Sequence, residues 1–142
     1  MAILRMDHVV LVVEELDTGI AFFEALGLEL EGRTVVEGAW VERINALDDL
    51  HVEIAMMVTP DGHSKLELTR FDSPVATGEP EPPNRLGLRS VMFEVDDLAA
   101  VLERLAPHGG TLVGEVADYE DVYRLCYVRG PGGAIIALAQ AL

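Results

Sequence analysis

The stretch DHVVLVVEELDTGIAFFEALG, residues 7–27, decides the fold, because the chain repeats its pattern without a gap in RSVMFEVDDLAAVLERLAPHG, residues 89–109. Each copy reads as an alternating strand, an acidic turn that ends in leucine, a helix and a terminal glycine. In the first copy Val9, Leu11 and Val13 share one strand face, since side chains alternate along a strand. The sequence therefore predicts one supersecondary unit, used twice.

Both copies continue into a predicted hairpin. HVEIAMMVTPDGHSKLELTRF (residues 51–71) and YRLCYVRGPGGAIIALAQ (residues 123–140) each read as a strand, a Pro/Gly turn and a second strand. LELEGRTVV and TLVGEVA predict one further strand between helix and hairpin in each copy. The expected fold is α+β, with two tandem βαβββ repeats.

A proline-rich segment separates the repeats. Residues 72–86, DSPVATGEPEPPNRL, contain four of the seven prolines and predict a linker, since proline neither donates to a sheet nor continues a helix. Residues 1–71 then form the first repeat and residues 87–142 the second. A repeat of this size buries little surface alone, so we expect both to form one domain with a shared core.

The charge excludes some partners. Ten basic residues against 25 acidic ones give a formal net charge of −15, which disfavours nucleic acid and anionic membranes. The early apolar run from Val9 to Val13 is far shorter than the roughly 20 residues of a membrane span and lacks the basic lead of a signal peptide. We therefore expect a cytoplasmic protein.

The single cysteine, Cys126, cannot form an internal disulfide. It lies in the apolar run YRLCYV with no adjacent base or helix start to activate a thiolate. We interpret it as a small buried hydrophobic residue.

With these motifs the chain resembles the vicinal oxygen chelate superfamily, which includes glyoxalase I, extradiol dioxygenases and bleomycin-binding proteins. The resemblance lies in MDHVVLVVEELDTGIAFFEALGLEL, KLELTRF, GLRSVMFEVDD and GPGGAIIAL, and covers nearly the whole chain. It implies paired half-barrel sheets around a cavity, with the helices outside. It also implies a small-molecule substrate or ligand and a homodimer, for which exposed sheet edges give a physical reason.

The resemblance further implies metal ligands on the first and last strands of each repeat. His8 and Glu67 stand in those positions of the first repeat, and Glu67 is also the candidate catalytic base. The strand period agrees, since Glu67 lies opposite the apolar Leu66 and Leu68. Imidazole and carboxylate suit Fe, Mn, Ni, Co or Zn.

The second repeat departs from this pattern. Ser90 replaces the histidine and Ala137 the carboxylate, so half of the ligand set is missing and metal can be absent altogether. Glu53 and Glu120 are candidates for a third ligand, and Arg124 for an ion-pair partner of Glu67. The predicted pocket residues are Trp40, Glu53, Met57, Ser90, Met92, Tyr123, Arg124 and Ala137.

Plainer interpretations remain open for these residues. His8 alone would be read as a strand-start histidine bonded to the backbone, and Glu67 as one side of a surface cross-strand pair. For Met57 and Met92, core packing is the commoner role, although strand parity favours a place on the cavity side. Trp40 belongs to EGAWVERINAL, which the second repeat lacks and which we expect to cover the pocket mouth.

Two functions are compatible with these residues. The first is a small-molecule enzyme with lyase, isomerase or oxygenase chemistry, using a divalent metal held by a reduced ligand set. The alternative is a metal-free protein of the bleomycin-resistance type that binds or sequesters a small molecule. The spacing of residues predicts no particular substrate.

Overall fold

The computed structural model describes residues 2–142, which fall into two compact units, one running to Thr77 and one from Gly78 to Leu142. The first unit contains, in chain order, β1 (Val9–Val12), α1 (Leu16–Leu26), β2 (Glu29–Glu37), α2 (Ala39–Asn45), β3 (His51–Val58) and β4 (Lys65–Ser73). The α+β class and the order of strand, helix and three strands are confirmed here, with α2 added inside the insertion.

The first sheet has the strand order β1-β4-β3-β2, with β1 parallel to β4 and the other pairs antiparallel. Helix α1 covers one face of this sheet. A Cβ at Gly19 of α1 would lie 3.4 Å from Cδ1 of Leu68, so the helix backbone approaches the strands closely. The buried side chains of the unit include Val13, Phe22, Phe23, Ala55, Met57, Leu66 and Leu68.

The opposite face of the first sheet carries a different set of side chains. Val10 of β1 pairs with Glu67 of β4, which pairs with Met56 of β3. Two residues further along β1 and β4, Val12 pairs with Thr69, which in turn pairs with Ile54 of β3. We call the face that bears these side chains and His8 the site face. Its far end is packed by α2, whose Val41 contacts Leu50 and Val52.

The second unit repeats this architecture. Its elements are β5 (Ser90–Glu94), α3 (Leu98–Leu105), β6 (Thr111–Leu112), β7 (Ala117–Tyr119), β8 (Tyr123–Arg129) and β9 (Ile135–Ala141), with short 3-10 turns at Ala106–His108 and Pro131–Gly133. The sheet order is β5-β9-β8-β6, with β7 also on β8, and β5 is parallel to β9. The strand predicted from TLVGEVA is instead two short strands, β6 and β7. Val113 still donates a backbone hydrogen bond to the Tyr127 carbonyl at 2.9 Å, but residues 114–116 have no register partner on β8.

Helix α3 is tied to the second sheet at its first turn. Asp97 caps the helix by accepting a hydrogen bond from the Ala100 amide, and Gln140 of β9 accepts one from the Leu98 amide. Below the helix, Ile136 and Leu138 are completely buried. The cap and the packed strand together fix where β9 runs relative to β5.

Cys126 is buried in β8, as expected for a small hydrophobic residue. Burial also raises the pKa of its thiol, so the protonated and unreactive form dominates at neutral pH. None of the helices that residues 2–142 form is long and apolar enough to cross a membrane.

The segment predicted as a linker is partly ordered against its neighbours. Strand β4 continues to Ser73, two residues into it. Further along, Arg129 donates hydrogen bonds to the carbonyl oxygens of Glu81 and Gly133, both at 2.9 Å. A Cβ at Gly133 would lie 3.0 Å from two side-chain atoms of Pro80. The end of the linker therefore packs on the β8–β9 hairpin.

Replacement of Gly133 by alanine tests this packing. Gly133 has φ of 75°, which a side chain strains, and its Cβ would also meet Pro80. We expect Gly133→Ala to lower the free energy of unfolding by roughly 2 kcal/mol or more in urea denaturation. Gly62→Ala is the matched control, because Gly62 has φ of 74° with open space around it. Equal losses in the two variants would contradict the packing argument.

Candidate functional site

Two side chains far apart in sequence meet on the site face of the first unit. Parallel pairing of β1 with β4 sets His8, just before β1, beside Glu67 of β4. His8 Nε2 lies 3.7 Å from Glu67 Oε1, and their side chains are 29% and 18% exposed. A separation of 3.7 Å is too long for a hydrogen bond. The two groups therefore face each other across a gap.

The other ring nitrogen of His8 is held by its neighbour. Nδ1 lies 2.7 Å from Oδ2 of Asp7, and Arg5 donates to Oδ1 of the same carboxylate at 2.9 Å. The hydrogen bonds from His8 and Arg5 keep the pKa of Asp7 below its ordinary value. With the Nδ1 proton donated to Asp7, the Nε2 lone pair of a neutral imidazole points toward Glu67.

The second oxygen of Glu67 is also held. Thr69, two residues along β4 and only 5% exposed, donates from Oγ1 to Glu67 Oε2 at 2.9 Å. This bond leaves Oε1 as the oxygen directed toward His8. The pair thus presents one nitrogen and one oxygen lone pair to the same space.

The nitrogen of His8 and the oxygen of Glu67 suit a borderline divalent metal, but they make up only half of a four-ligand set. The 3.7 Å separation exceeds a hydrogen bond but is shorter than two metal–ligand bonds end to end, roughly 4.2 Å. A carboxylate that fixes the far nitrogen of a ligating histidine, as Asp7 does for His8, is the usual outer shell of such a ligand. Within residues 2–142, however, no group of three or more His, Cys, Asp or Glu could hold an ion. Substrate or water would have to complete the shell.

The candidates for a third ligand do not join the pair. Glu53 pairs across the sheet with Arg70, and Met57 with Leu66, which places both on the α1 face and not the site face. The prediction that Met57 shares the parity of Glu67 is wrong, because the register opposes Met56 to Glu67. Glu53 instead accepts a hydrogen bond from Arg33 at 3.4 Å.

The two other candidates, Trp40 and Glu120, lie outside β1 and β4. Trp40 is 56% exposed on α2, whose inward residue is Val41. Glu120 is exposed in the turn after β7, at φ of 49°. The side chains that hold His8 and Glu67 are instead Asp7 and Thr69.

In the second unit, the strand positions that correspond to Val10 and Glu67 again pair with each other. Met92 of β5 pairs with Ala137 of β9, and Ala137 pairs with Tyr127 of β8. Ser90 and Tyr123 have the same strand parity and lie on the same face. Ala137 is fully buried while Met92 is 57% exposed. The equivalent position therefore carries an apolar surface in place of a metal ligand.

Arg124 does not lie on that face. It pairs with Gln140, one residue out of phase with Ala137, so its side chain is on the α3 side of the sheet. There its Nε donates to Asp118 Oδ1 at 2.9 Å. This bond raises the pKa of Arg124 and lowers that of Asp118. The expectation that Arg124 lines the pocket is corrected by this register.

Two residues of the two faces, Asp7 and Tyr127, were missed in the sequence. Asp7 precedes His8 directly, and an acidic residue beside a histidine was an available signal. Tyr127 was obscured, and Met57 was preferred to Met56, because neither YRLCYV nor IAMMV alternates between apolar and polar residues, so parity alone could not assign their faces.

A family model for the Glyoxalase/Bleomycin resistance protein/Dioxygenase superfamily matches residues 5–138. The chain belongs to this superfamily. The match includes His8, Glu67 and both repeats, and so confirms the resemblance drawn from the sequence. A search of curated proteins found no significant match.

Solved structures of the superfamily share the fold. A glyoxalase family protein from Bacillus cereus is 53% identical, with 100% of this chain and 99% of that chain covered and a TM-score of 0.93. A glyoxylase/bleomycin resistance protein/dioxygenase domain from Frankia sp. is 18% identical over 99% and 100%, with a TM-score of 0.70. The trypanothione-dependent glyoxalase I of Leishmania major is 19% identical over 96% and 86%, with a TM-score of 0.65. The last two show likeness of fold alone.

The ion pair on the α3 side of the second sheet gives a direct pH test in this superfamily member. We expect Arg124→Gln to raise the pKa of Asp118 toward its ordinary value, as measured by carboxyl NMR titration. Because the folded pKa is lowered, the pair stabilises the protein above the unfolded pKa of Asp118, and this contribution is lost as pH falls through the folded pKa. An Asp118 pKa that does not change in the variant would contradict the assignment.

Proposed function

We propose that this protein is a small-molecule enzyme in which His8 and Glu67 bind a divalent metal with a reduced ligand set. The observation that carries the proposal is the 3.7 Å gap between His8 Nε2 and Glu67 Oε1. Two lone pairs directed at one another repel unless a cation or a proton lies between them. When bound, a divalent ion would supply Lewis-acid activation of substrate oxygens.

Other residues of the site face would bind the substrate and position Glu67. Val10 and Val12, which follow His8 on the site face of β1 and are 45% and 43% exposed, give an apolar surface for the carbon part of a substrate. Thr69 fixes Glu67 by its hydrogen bond to Oε2, so Oε1 would bind the ion and would accept a proton only where its bond to the ion is loose. Lyase, isomerase or oxygenase chemistry on a small molecule with two neighbouring oxygens fits this arrangement.

Elemental analysis and metal titration test the proposal. We expect untagged protein prepared without chelator to bind Co²⁺ or Ni²⁺ at one site, weakly enough to lose metal on dialysis, because only two protein ligands are close. His8→Ala and Glu67→Gln should each weaken binding by at least about 100-fold, since loss of an outer-shell partner alone costs roughly 10–100-fold.

His51→Ala is the matched control for this titration. His51 has a similar arrangement, with Nδ1 2.8 Å from Asp72 and Nε2 3.7 Å from Glu37. Glu37, however, is 66% exposed, whereas Glu67 is 18% exposed. We expect His51→Ala to bind metal like the wild type. No binding by the wild-type protein, or equal losses in the His8 and His51 variants, would exclude the proposed centre.

A second candidate function is favoured by the second unit. There Met92, Ala137 and Tyr127 occupy neighbouring register positions and supply no metal ligand. Ala137 is fully buried and Arg89 lies over the Tyr127 ring at 4.7 Å, so Met92, at 57% exposed, is the side chain that a ligand would reach. This position would support metal-free binding of a small molecule with an apolar part, as in a protein of the bleomycin-resistance type, and the net charge of −15 would favour a cationic one.

Binding measured with and without chelator separates the two functions. If the second candidate is right, metal-free bleomycin or a cationic aromatic dye should bind saturably in equilibrium dialysis in the presence of EDTA. His8→Ala should bind the probe like the wild type, and salt should weaken binding because the protein carries a net charge of −15. Binding that requires added metal would instead support the enzyme.

The proposal includes a homodimer. β1 and β5 are the end strands of their sheet orders. Apolar strands at a sheet edge favour pairing with a second chain. Light scattering after size exclusion should give twice the mass of one chain, 15.4 kDa, and a monomer at micromolar concentration would contradict it.

A further inference from the structure

We propose that Asp7 is a positioning residue for His8, whose carboxylate fixes the imidazole in the tautomer that presents the Nε2 lone pair to Glu67. Asp7 Oδ2 lies 2.7 Å from Nδ1, and Glu67 Oε1 lies 3.7 Å from Nε2. The inference rests on the proposed function in treating His8 as a working residue of the site. It concerns a property of the protein that exists without any bound ion.

Two carboxylates compete for the single imidazole proton of His8. A neutral imidazole carries one N–H, so it donates either to Asp7 from Nδ1 or toward Glu67 from Nε2. Hydrogen bonds weaken steeply beyond about 3.2 Å, and only the Asp7 contact is within that range. The proton therefore resides on Nδ1, and Nε2 is left as the acceptor.

Asp7 is itself held in place for this role. Arg5 donates to Oδ1 at 2.9 Å, which leaves Oδ2 free to accept from His8. Asp7 lies before β1, is 60% exposed and stands outside the paired residues of the first sheet. Its side chain bonds to Arg5 and His8, both of which are its near neighbours in sequence. Removal of the Asp7 side chain should thus change the proton position on His8 and leave the buried core unchanged.

Loss of Asp7 would change which ring nitrogen of His8 is available to the site. Without Asp7, Nε2 becomes the more favourable position for the proton, because Glu67 is then the one carboxylate of the two that remains beside the imidazole. The same nitrogen can then no longer ligate a metal or accept a proton. Asp7→Ala should therefore raise the Kd for Co²⁺ roughly 10–100-fold, as expected for loss of an outer-shell partner.

Imidazole ¹⁵N NMR on metal-free protein is the deciding measurement. At pH about 8.5, where ordinary histidines are neutral, the wild type should show His8 with a protonated Nδ1 and an unprotonated Nε2. In Asp7→Ala the two nitrogens should exchange these shifts. Asp7→Asn, which keeps an acceptor oxygen, should retain the wild-type tautomer in part. The His8 signals are assigned by their loss in His8→Ala.

Asp72→Ala provides the internal control, because Asp72 accepts from Nδ1 of His51 at 2.8 Å in the same unit. It should exchange the His51 shifts and leave those of His8 unchanged. Wild-type His8 protonated on Nε2, or His8 shifts unaltered in Asp7→Ala, would overturn the inference. A shift exchange in a protein that binds no metal would uphold Asp7 and reject the metal centre, so the two proposals fail separately.

Discussion

The parallel pairing of β1 with β4 is the constraint on which the first unit depends. Two parallel strands cannot be joined by a tight turn, so the chain between them must form a crossover, here α1 followed by β2 and β3. The same pairing makes neighbours of His8 and Glu67, although most of the unit lies between them in sequence. β5 and β9 repeat the arrangement in the second unit. Fold and candidate site thus share one cause.

The sequence predicted those parts of the site where side chains alternate clearly. KLELTRF alternates, and Glu67 lies on the face opposite Leu66 and Leu68 as predicted. IAMMV does not alternate, and there the sequence assigned Met57 to the wrong face. The structure instead buries Met57 completely on the α1 face, opposite Leu66. Strand parity is informative only where polar residues interrupt the apolar ones.

Other parts of the site depended on tertiary contacts that no local pattern carries. Arg124 was a reasonable partner for an enclosed carboxylate, but its Nε donates instead to Asp118 on the neighbouring strand β7. The predicted strand TLVGEVA ends at Ala117, so Asp118 lay outside it and this partner could not be foreseen. In the insertion, the short helix α2 forms because Val41 can pack on Leu50 and Val52. A seven-residue helix is marginal on propensity alone.

The charges of the site face limit what can bind there. Among the described residues that the register places on this face, the one Lys or Arg is Lys65, which donates to Glu31 at 2.9 Å. Glu67 is therefore a largely buried carboxylate beside two valines without a free basic partner. Burying such a charge is costly unless a cation or a proton compensates it. A bound metal ion or a cationic ligand would supply the compensating charge. Metal catalysis and metal-free binding are then alternative solutions to a single electrostatic requirement, which an anionic group at this position would not meet.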